Sequence, residues 1–235
     1  TLDEARPEAV ARRRAQGRRT ARENLGDLFD EGSFVEYGGL LLAARRTRQS
    51  LDELIARTPA DGIVAGVGTI NAETAPPERA AAAAFAYDYT VLAGTQGMLG
   101  HRKTDRFLDA VARRRLPLIC YTEGGGGRPG DTDVIQAAGL DVPTFHRFGE
   151  LSGLVPLVAV NAGFCFAGNA AILGCCDVVI ATEDSSIGMG GPAMIEGGGL
   201  GRHRPEDVGP ARVQAEAGVI DLLVADEAEA TAAAK

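Results

Sequence analysis

Tryptophan is absent from this 235-residue chain and lysine occurs only twice, at Lys103 and Lys235, so nearly every basic residue is arginine. A basic excess is missing too: 32 acidic residues against 24 Lys and Arg leave a formal charge of −8. Without that excess, general binding to a phosphate backbone has no electrostatic footing, and nucleic acid drops out as an expected partner. No stretch approaches the roughly 18–20 uninterrupted apolar residues that span a bilayer, and the N-terminus is charged, so neither membrane insertion nor export is expected. Cysteine is scarce. Cys120, Cys165, Cys175 and Cys176 show no CxxC spacing and no histidine partners of metal-site type, which points to reduced core thiols, a cytoplasmic protein and no metal.

What is present is a globular composition, 45% hydrophobic and 24% charged with 31 glycines. A chain of this size buries roughly 70–75% of its unfolded surface, enough for one large domain or two small ones. A dense arginine run from Arg6 to Arg22, then Glu23, Leu25, Leu28 and Phe29 at helical spacing, predicts a helix over 5–30 that Gly32 stops. That divides an N-terminal helical segment, residues 1–31, from residues 32–235. Residues 33–42 and 62–70 read as strands, and 45–57 as a polar stretch with weak helical spacing. Ala80 to Ala84 favour helix by propensity, but the aromatic–small alternation that follows predicts a strand from Ala84 on. Residues 100–115 form an amphipathic helix with Phe107, Leu108 and Val111 on its apolar face. Arg102, Lys103 and Arg106 fall elsewhere on it, as a solvated face or as a cluster that meets phosphates.

From residue 116 the chain takes up a rhythm. LPLICYT (116–122), VPLVAVN (155–161) and DVVIAT (177–182) are short apolar strands, each followed by a glycine-bearing turn or a helix, with helices near 132–152 and 167–174. Such alternation predicts a buried, largely parallel sheet with ligands at the carboxyl ends of its strands. Four consecutive glycines, Gly124 to Gly127, leave backbone N–H groups open to a ligand oxygen. The turn from Gly163 to Gly168 opens a helix whose first N–H groups are unpaired. One donor from each turn would hold the oxygen of an enolate; read singly, either is a tight turn. No GK[ST], GxGxxG or GxSxG follows, which removes phosphate-loop, dinucleotide and serine-hydrolase readings. His101 and His146 are expected on polar helix faces and His203 in a surface loop. Glu123, Asp131 and Asp133 flank the glycines, as acid/base groups or as caps of a helix starting near Thr132.

These segments resemble a known family. TARENLGDLFDEGSFVEY (20–37), PADGIVAGVGTI (59–70), LPLICYTEGGGGRPGD (116–131), GFCFAGNAAILGCCDVVIA (163–181), MGGPAMIEGGGLG (189–201) and ADEAEATAAAK (225–235) are similar to the N-terminal half of the carboxyltransferase component of biotin-dependent acyl-CoA carboxylases. In this chain Gly124 and Gly127 stand where the family usually has serine and alanine, and Phe166-Ala167-Gly168-Asn169 replaces a commoner alanine-glycine-glycine-alanine. The resemblance implies an α/β, crotonase-like superhelix of repeated β-β-α units. It implies transfer of a carboxyl group from carboxybiotin to the α-carbon of an acyl-CoA, with Gly125, Gly126, Gly127, Ala167 and Gly168 cradling the thioester oxygen. Arg128 takes the place of the family's loop arginine and joins Arg102, Lys103 and Arg106 as the expected coenzyme A contacts. Biotin on a carrier domain, a biotin carboxylase, a C-terminal carboxyltransferase half beyond Lys235 and a homo-oligomer follow as expected partners. A crotonase-like hydratase or isomerase using Glu123 or Asp131, a biotin-dependent decarboxylase, and a coenzyme A-binding assembly module are the alternatives.

Overall fold

The computed structural model describes residues 2–133 and 142–235. In chain order its elements are α1 (Pro7–Ala15), α2 (Ala21–Leu28), β1 (Val35–Tyr37), α3 (Leu51–Arg57), β2 (Ile63–Thr69), α4 (Pro77–Ala80), β3 (Ala81–Tyr87), α5 (Met98–Arg114), β4 (Leu118–Tyr121) and α6 (Thr144–Gly149). They continue with β5 (Leu157–Asn161), β6 (Phe164–Phe166), α7 (Gly168–Gly174), β7 (Val178–Thr182), β8 (Ser186–Gly188), α8 (Pro192–Gly197), α9 (Ala211–Glu216), β9 (Leu222–Val224) and α10 (Glu227–Ala234).

Local chemistry sets the first boundaries. The single helix expected over 5–30 is two, because Gly17 turns left-handed at φ +71° and Thr20 opens a second helix through a reciprocal capping box with Glu23. Ser50 and Glu53 open α3 in the same way, which confines the weak helical spacing of 45–57 to residues 51–57. Of the strand expected over 33–42 only the three residues of β1 pair, antiparallel to β2. The alanine run is strand from Ala81: Ala83 and Phe85 enter one core while Ala82, Ala84 and Ala86 enter another. A residue period of two between two packed faces overrides alanine's helical propensity. The helix expected near 132–152 lies partly outside the described residues; α6 is its described part.

The main sheet has the order β1-β2-β3-β4-β5-β7-β9, antiparallel through β3 and parallel from β3 onward. One face is covered by α5 and α6 through Phe107, Leu108, Val111 and Phe148, the other by α2 and α10 through Leu25, Leu28 and Ala230. A second layer stands on the carboxyl ends of the strands: β6 pairs with β8 in parallel, and Gly124 bridges to Cys165 beside them. The chain therefore repeats a strand in the large sheet, a short strand in the small one and a helix, first as β5-β6-α7 and then as β7-β8-α8. Ala159, Cys165, Leu173, Ala181 and Ile187 fill the space between the layers. Cys120 and Cys165 are buried as expected, whereas Cys175 is exposed at the end of α7, beyond the apolar stripe. No described helix is long and apolar enough to cross a membrane.

Candidate functional site

The two glycine turns meet where β4 and β5 end. Gly124 donates to the Phe164 carbonyl at 2.7 Å and accepts from the Phe166 amide at 2.9 Å, lacing the first turn to β6. Its lack of a side chain is compulsory, since a Cβ there would sit 2.2 Å from Asn169 Nδ2 and 2.3 Å from the Gly94 carbonyl oxygen. Gly126 is left-handed at φ +85°, and a Cβ on it would come within 2.6 Å of the Ala167 methyl and 3.5 Å of the Gly168 nitrogen. The five residues expected to cradle an oxygen thus do converge.

Their amides are not equivalent. Gly125 donates to the Ala93 carbonyl at 3.1 Å, Gly126 to Asn169 Oδ1 at 2.9 Å, and Ala167 to the Gly188 carbonyl at 3.0 Å. Those three N–H groups are consumed inside the protein. Gly127 is straddled by Gln96, whose amide donates to the Gly126 carbonyl at 2.7 Å and whose carbonyl accepts from the Arg128 amide at 2.9 Å. Held on both sides, Gly127 makes no hydrogen bond through its own N–H to a described residue, and nothing lies within 4 Å of where its Cβ would be. Gly168, the first residue of α7, likewise donates its amide to no described residue, as do Asn169 and Ala170 after it; the first helical bond starts at Ala171, which donates to the Ala167 carbonyl. Each turn thus presents an open amide, Gly127 in the first and Gly168 in the second, while the amides of Gly125, Gly126 and Ala167 are engaged.

Two residues without a local sequence signal hold the pair together. The Gln96 side chain bridges from Tyr87 Oη, to which its Nε2 donates at 2.8 Å, to the α7 start, where a Gly168 Cβ would sit 2.2 Å from its Oε1. Asn169 is fully buried; its Oδ1 accepts from Gly126 and its Nδ2 donates to the Gly94 carbonyl at 3.3 Å. Phe145 of α6 closes over Gly168, with a ring carbon 3.1 Å from the added Cβ position.

The expected coenzyme A contacts divide. Arg102 and Arg106 are exposed on α5. Lys103 is 5% exposed, and its Nζ donates to the Ile63 carbonyl; burial lowers its pKa to about 8. Its position four residues before Phe107 and eight before Val111 puts it on the buried stripe, which the periodicity itself contained. Arg128 is inside as well: Nη1 pairs with Asp61, Nη2 donates to the Asp61 and Thr95 carbonyls at 3.0 and 2.9 Å, and Nε to Thr95 Oγ1 at 3.3 Å. Both leave the set of groups able to reach a phosphate.

The flanking acids are engaged by protein groups, although Glu123 Oε1 lies 2.5 Å from where a Gly163 Cβ would sit. Glu123 is gripped through both oxygens by Arg13 of α1, and burial raises its pKa to about 7. Asp131 accepts from the Met98 amide at 2.9 Å at the start of α5, and Asp133 accepts from the Arg46 and Thr47 amides; the helix expected to start near Thr132 runs partly outside the described residues. His101, expected on a polar face, is half-buried, with Nδ1 3.0 Å from Thr144 Oγ1 and its ring edge-on to Phe145. Burial and the charge of Arg128 lower its pKa to about 4. His146 and His203 are on the surface.

Comparison with known proteins adds four findings. The model of the carboxyl transferase domain family matches residues 12–235. The propionyl-CoA carboxylase beta chain of Saccharopolyspora erythraea is 30% identical over 224 residues, covering 94% of this chain and 39% of that protein. The biotin-dependent long chain acyl-coenzyme A carboxylase beta4 subunit of Mycobacterium tuberculosis is 30% identical over 223 residues, 94% of this chain and 40% of that one. Among solved structures, a single-chain, multi-domain long-chain acyl-CoA carboxylase superposes with a TM-score of 0.94 at 62% identity, over 99% of this chain and 23% of that one. The chain spans about two fifths of the length of these curated relatives. The carboxyltransferases it superposes on have the crotonase-like fold, and its β-β-α repeats follow that plan.

Proposed function

Because this chain belongs to the carboxyl transferase domain family, we propose that it forms the acyl-CoA side of a biotin-dependent carboxyltransferase, with Gly127 and Gly168 holding the thioester oxygen of its substrate. The observation that carries this reading is a pair of amides without a described partner, Gly127 and Gly168 on the two converging turns, beside the engaged amides of Gly125, Gly126 and Ala167. Carboxylation at an α-carbon passes through an enolate, whose charge collects on the thioester oxygen. Two fixed N–H donors stabilise that charge without reorganising, and loss of one such donor costs about 3–4 kcal/mol of barrier in other enzymes. Carboxybiotin, when bound, supplies the carboxyl group and, once that has left, a ureido anion able to take the α-proton. The protein then needs no base of its own, which agrees with Glu123 and Asp131 being turned into structural bonds.

The substrate class we assign is a long-chain acyl-CoA, supported by the 62% identity to a carboxylase of that kind. Arg102 and Arg106 are the remaining candidates for its phosphates. Residues 1–31 serve as an N-terminal segment and 32–235 as the acyl-CoA-binding half, in a cytoplasmic homo-oligomer. Its partners are a C-terminal carboxyltransferase half, a biotin carrier and a biotin carboxylase. The test is transfer of a labelled carboxyl group from carboxybiotin to palmitoyl-CoA by the enzyme that contains this chain. Label in the acyl-CoA supports the reading; hydration of an enoyl-CoA without transfer replaces it with the hydratase alternative.

A further inference from the structure

Asp61 lies 67 residues before Arg128, yet the two form the most enclosed ion pair described in the molecule, with side chains 0% and 1% exposed. Asp61 is left-handed at φ +53°, its amide shared between the Leu41 and Thr58 carbonyls at 3.1 Å each. Its Oδ2 also accepts from the Gly100 amide at 2.6 Å, near the start of α5. Gly97 permits the approach, since a Cβ there would be 2.2 Å from Arg128 Nη1 and 2.9 Å from Asp61 Oδ2. Four hydrogen bonds from the Arg128 guanidinium go to Asp61 or Thr95, with Asp131 at 3.8 Å from Nη1 as a second, weaker counter-charge. Arg128 directly follows Gly127, and its own amide is fastened to Gln96.

We propose that Asp61 is a positioning residue for the Gly127 donor, acting through Arg128. The proposal rests on the carboxyl-transfer reading for its kinetic arm only. Residue 128 is fixed at backbone and side chain together, which anchors the Gly127–Arg128 peptide and with it the Gly127 Cα from which the Gly126–Gly127 peptide, bearing the open N–H, departs; Gln96 holds the carbonyl of that peptide. An Arg128 released from Asp61 swings toward Asp131, and the one open amide of the first turn rotates away from the oxygen it must meet. A merely structural pair would lower stability and leave the folded enzyme's turnover intact.

Two variants and a control test this in the complete enzyme: Asp61→Asn, which removes the charge at constant shape, Arg128→Lys, which keeps the charge but loses the fork, and Leu28→Ala, a cavity in the core on the opposite face of the sheet. Expected are a 30-fold or greater fall in kcat for Asp61→Asn and Arg128→Lys with KM for the acyl-CoA within threefold, while Leu28→Ala lowers the thermal midpoint and keeps kcat within twofold. The double variant Asp61→Asn/Arg128→Lys should lose no more than the worse single one, since both act on one element. Folded Asp61→Asn or Arg128→Lys enzyme with more than a third of wild-type kcat, or fully additive losses, overturns the proposal. An independent readout is the 15N–1H resonance of Gly127 in this chain: Asp61→Asn should move it and leave Gly218, far along the sequence in a surface turn, in place. Should the wild-type enzyme transfer no carboxyl group, the carboxyl-transfer reading falls, and the resonance alone decides: an unmoved Gly127 signal refutes the positioning role.

Discussion

Gly126 is the residue whose replacement should do most harm at the site. A Cβ there lands 2.6 Å from the Ala167 methyl carbon and 3.1 Å from the Phe166 carbonyl oxygen, at φ +85°. Carbon atoms in contact settle at about 3.5–4.0 Å, so Gly126→Ala forces the two turns apart by about 1 Å. The left-handed backbone adds about 1–2 kcal/mol for any residue with a side chain. A separation of that size turns a good hydrogen bond from Gly127 or Gly168 to a shared oxygen into none. Losing one donor corresponds to about 10²–10³ in kcat. The thermal midpoint should fall by several degrees as well, at roughly 2–4 °C per kcal/mol for a chain of this length. Gly127→Ala is the matched contrast: its Cβ enters open space, its N–H stays, and alanine is what the resembling family carries at this position. Measured as carboxyl transfer in the complete enzyme, Gly126→Ala should lose at least 100-fold in kcat and Gly127→Ala less than threefold. Turnover within threefold of wild type for Gly126→Ala, or equal damage from both, would refute the two-donor reasoning.

The double variant Arg102→Ala/Arg106→Ala should weaken coenzyme A binding five- to twentyfold at low salt and flatten its salt dependence, while Lys103→Met leaves affinity within twofold; calorimetric titration at two ionic strengths decides. His101, with its pKa lowered to about 4 by burial from an ordinary 6.5, stays neutral in the folded chain while the unfolded chain takes up the proton. Stability should therefore fall as pH drops from 6.5 towards 4, by about 2–3 kcal/mol, and His101→Gln should abolish that loss in urea unfolding at both pH values. Arg13→Met strands the buried Glu123 carboxylate and should cost about 3–5 kcal/mol, whereas Arg13→Met/Glu123→Leu should recover at least half of it. Equal unfolding midpoints for the single and double variants would contradict the pairing.

The second half of the chain was the more readable. β4 and β5 are short apolar runs that lead into glycine turns, β7 is a third such run, and their rhythm conveys a parallel sheet with its site at the carboxyl ends. β6 and β8 escaped, because three residues that pair only across a second layer carry no periodicity of their own. The split of the N-terminal helix was written as Thr20-Ala21-Arg22-Glu23, a capping box, but the dense arginines on both sides of Gly17 masked it. Lys103 followed the helical period into the core against its residue type. Which glycine amides stay open was not legible at all. That depends on Ala93, Asn169 and Gly188 arriving from other segments to occupy the amides of Gly125, Gly126 and Ala167 and spare Gly127 and Gly168. Likewise, Arg128 was assigned to a phosphate because its partner, Asp61, is remote in sequence.

The central claim is that the Gly127 and Gly168 amides together receive the oxygen of an acyl-CoA thioester. Titrating the 15N-labelled chain with a non-hydrolysable thioether analogue retaining that carbonyl, and following all glycine amides, tests it most directly. The account predicts that Gly127 and Gly168 shift downfield together with one binding curve, while the engaged Gly125 and Gly126 protons move much less. An analogue that binds with Gly127 and Gly168 unmoved, or that shifts Gly125 and Gly126 instead, contradicts it.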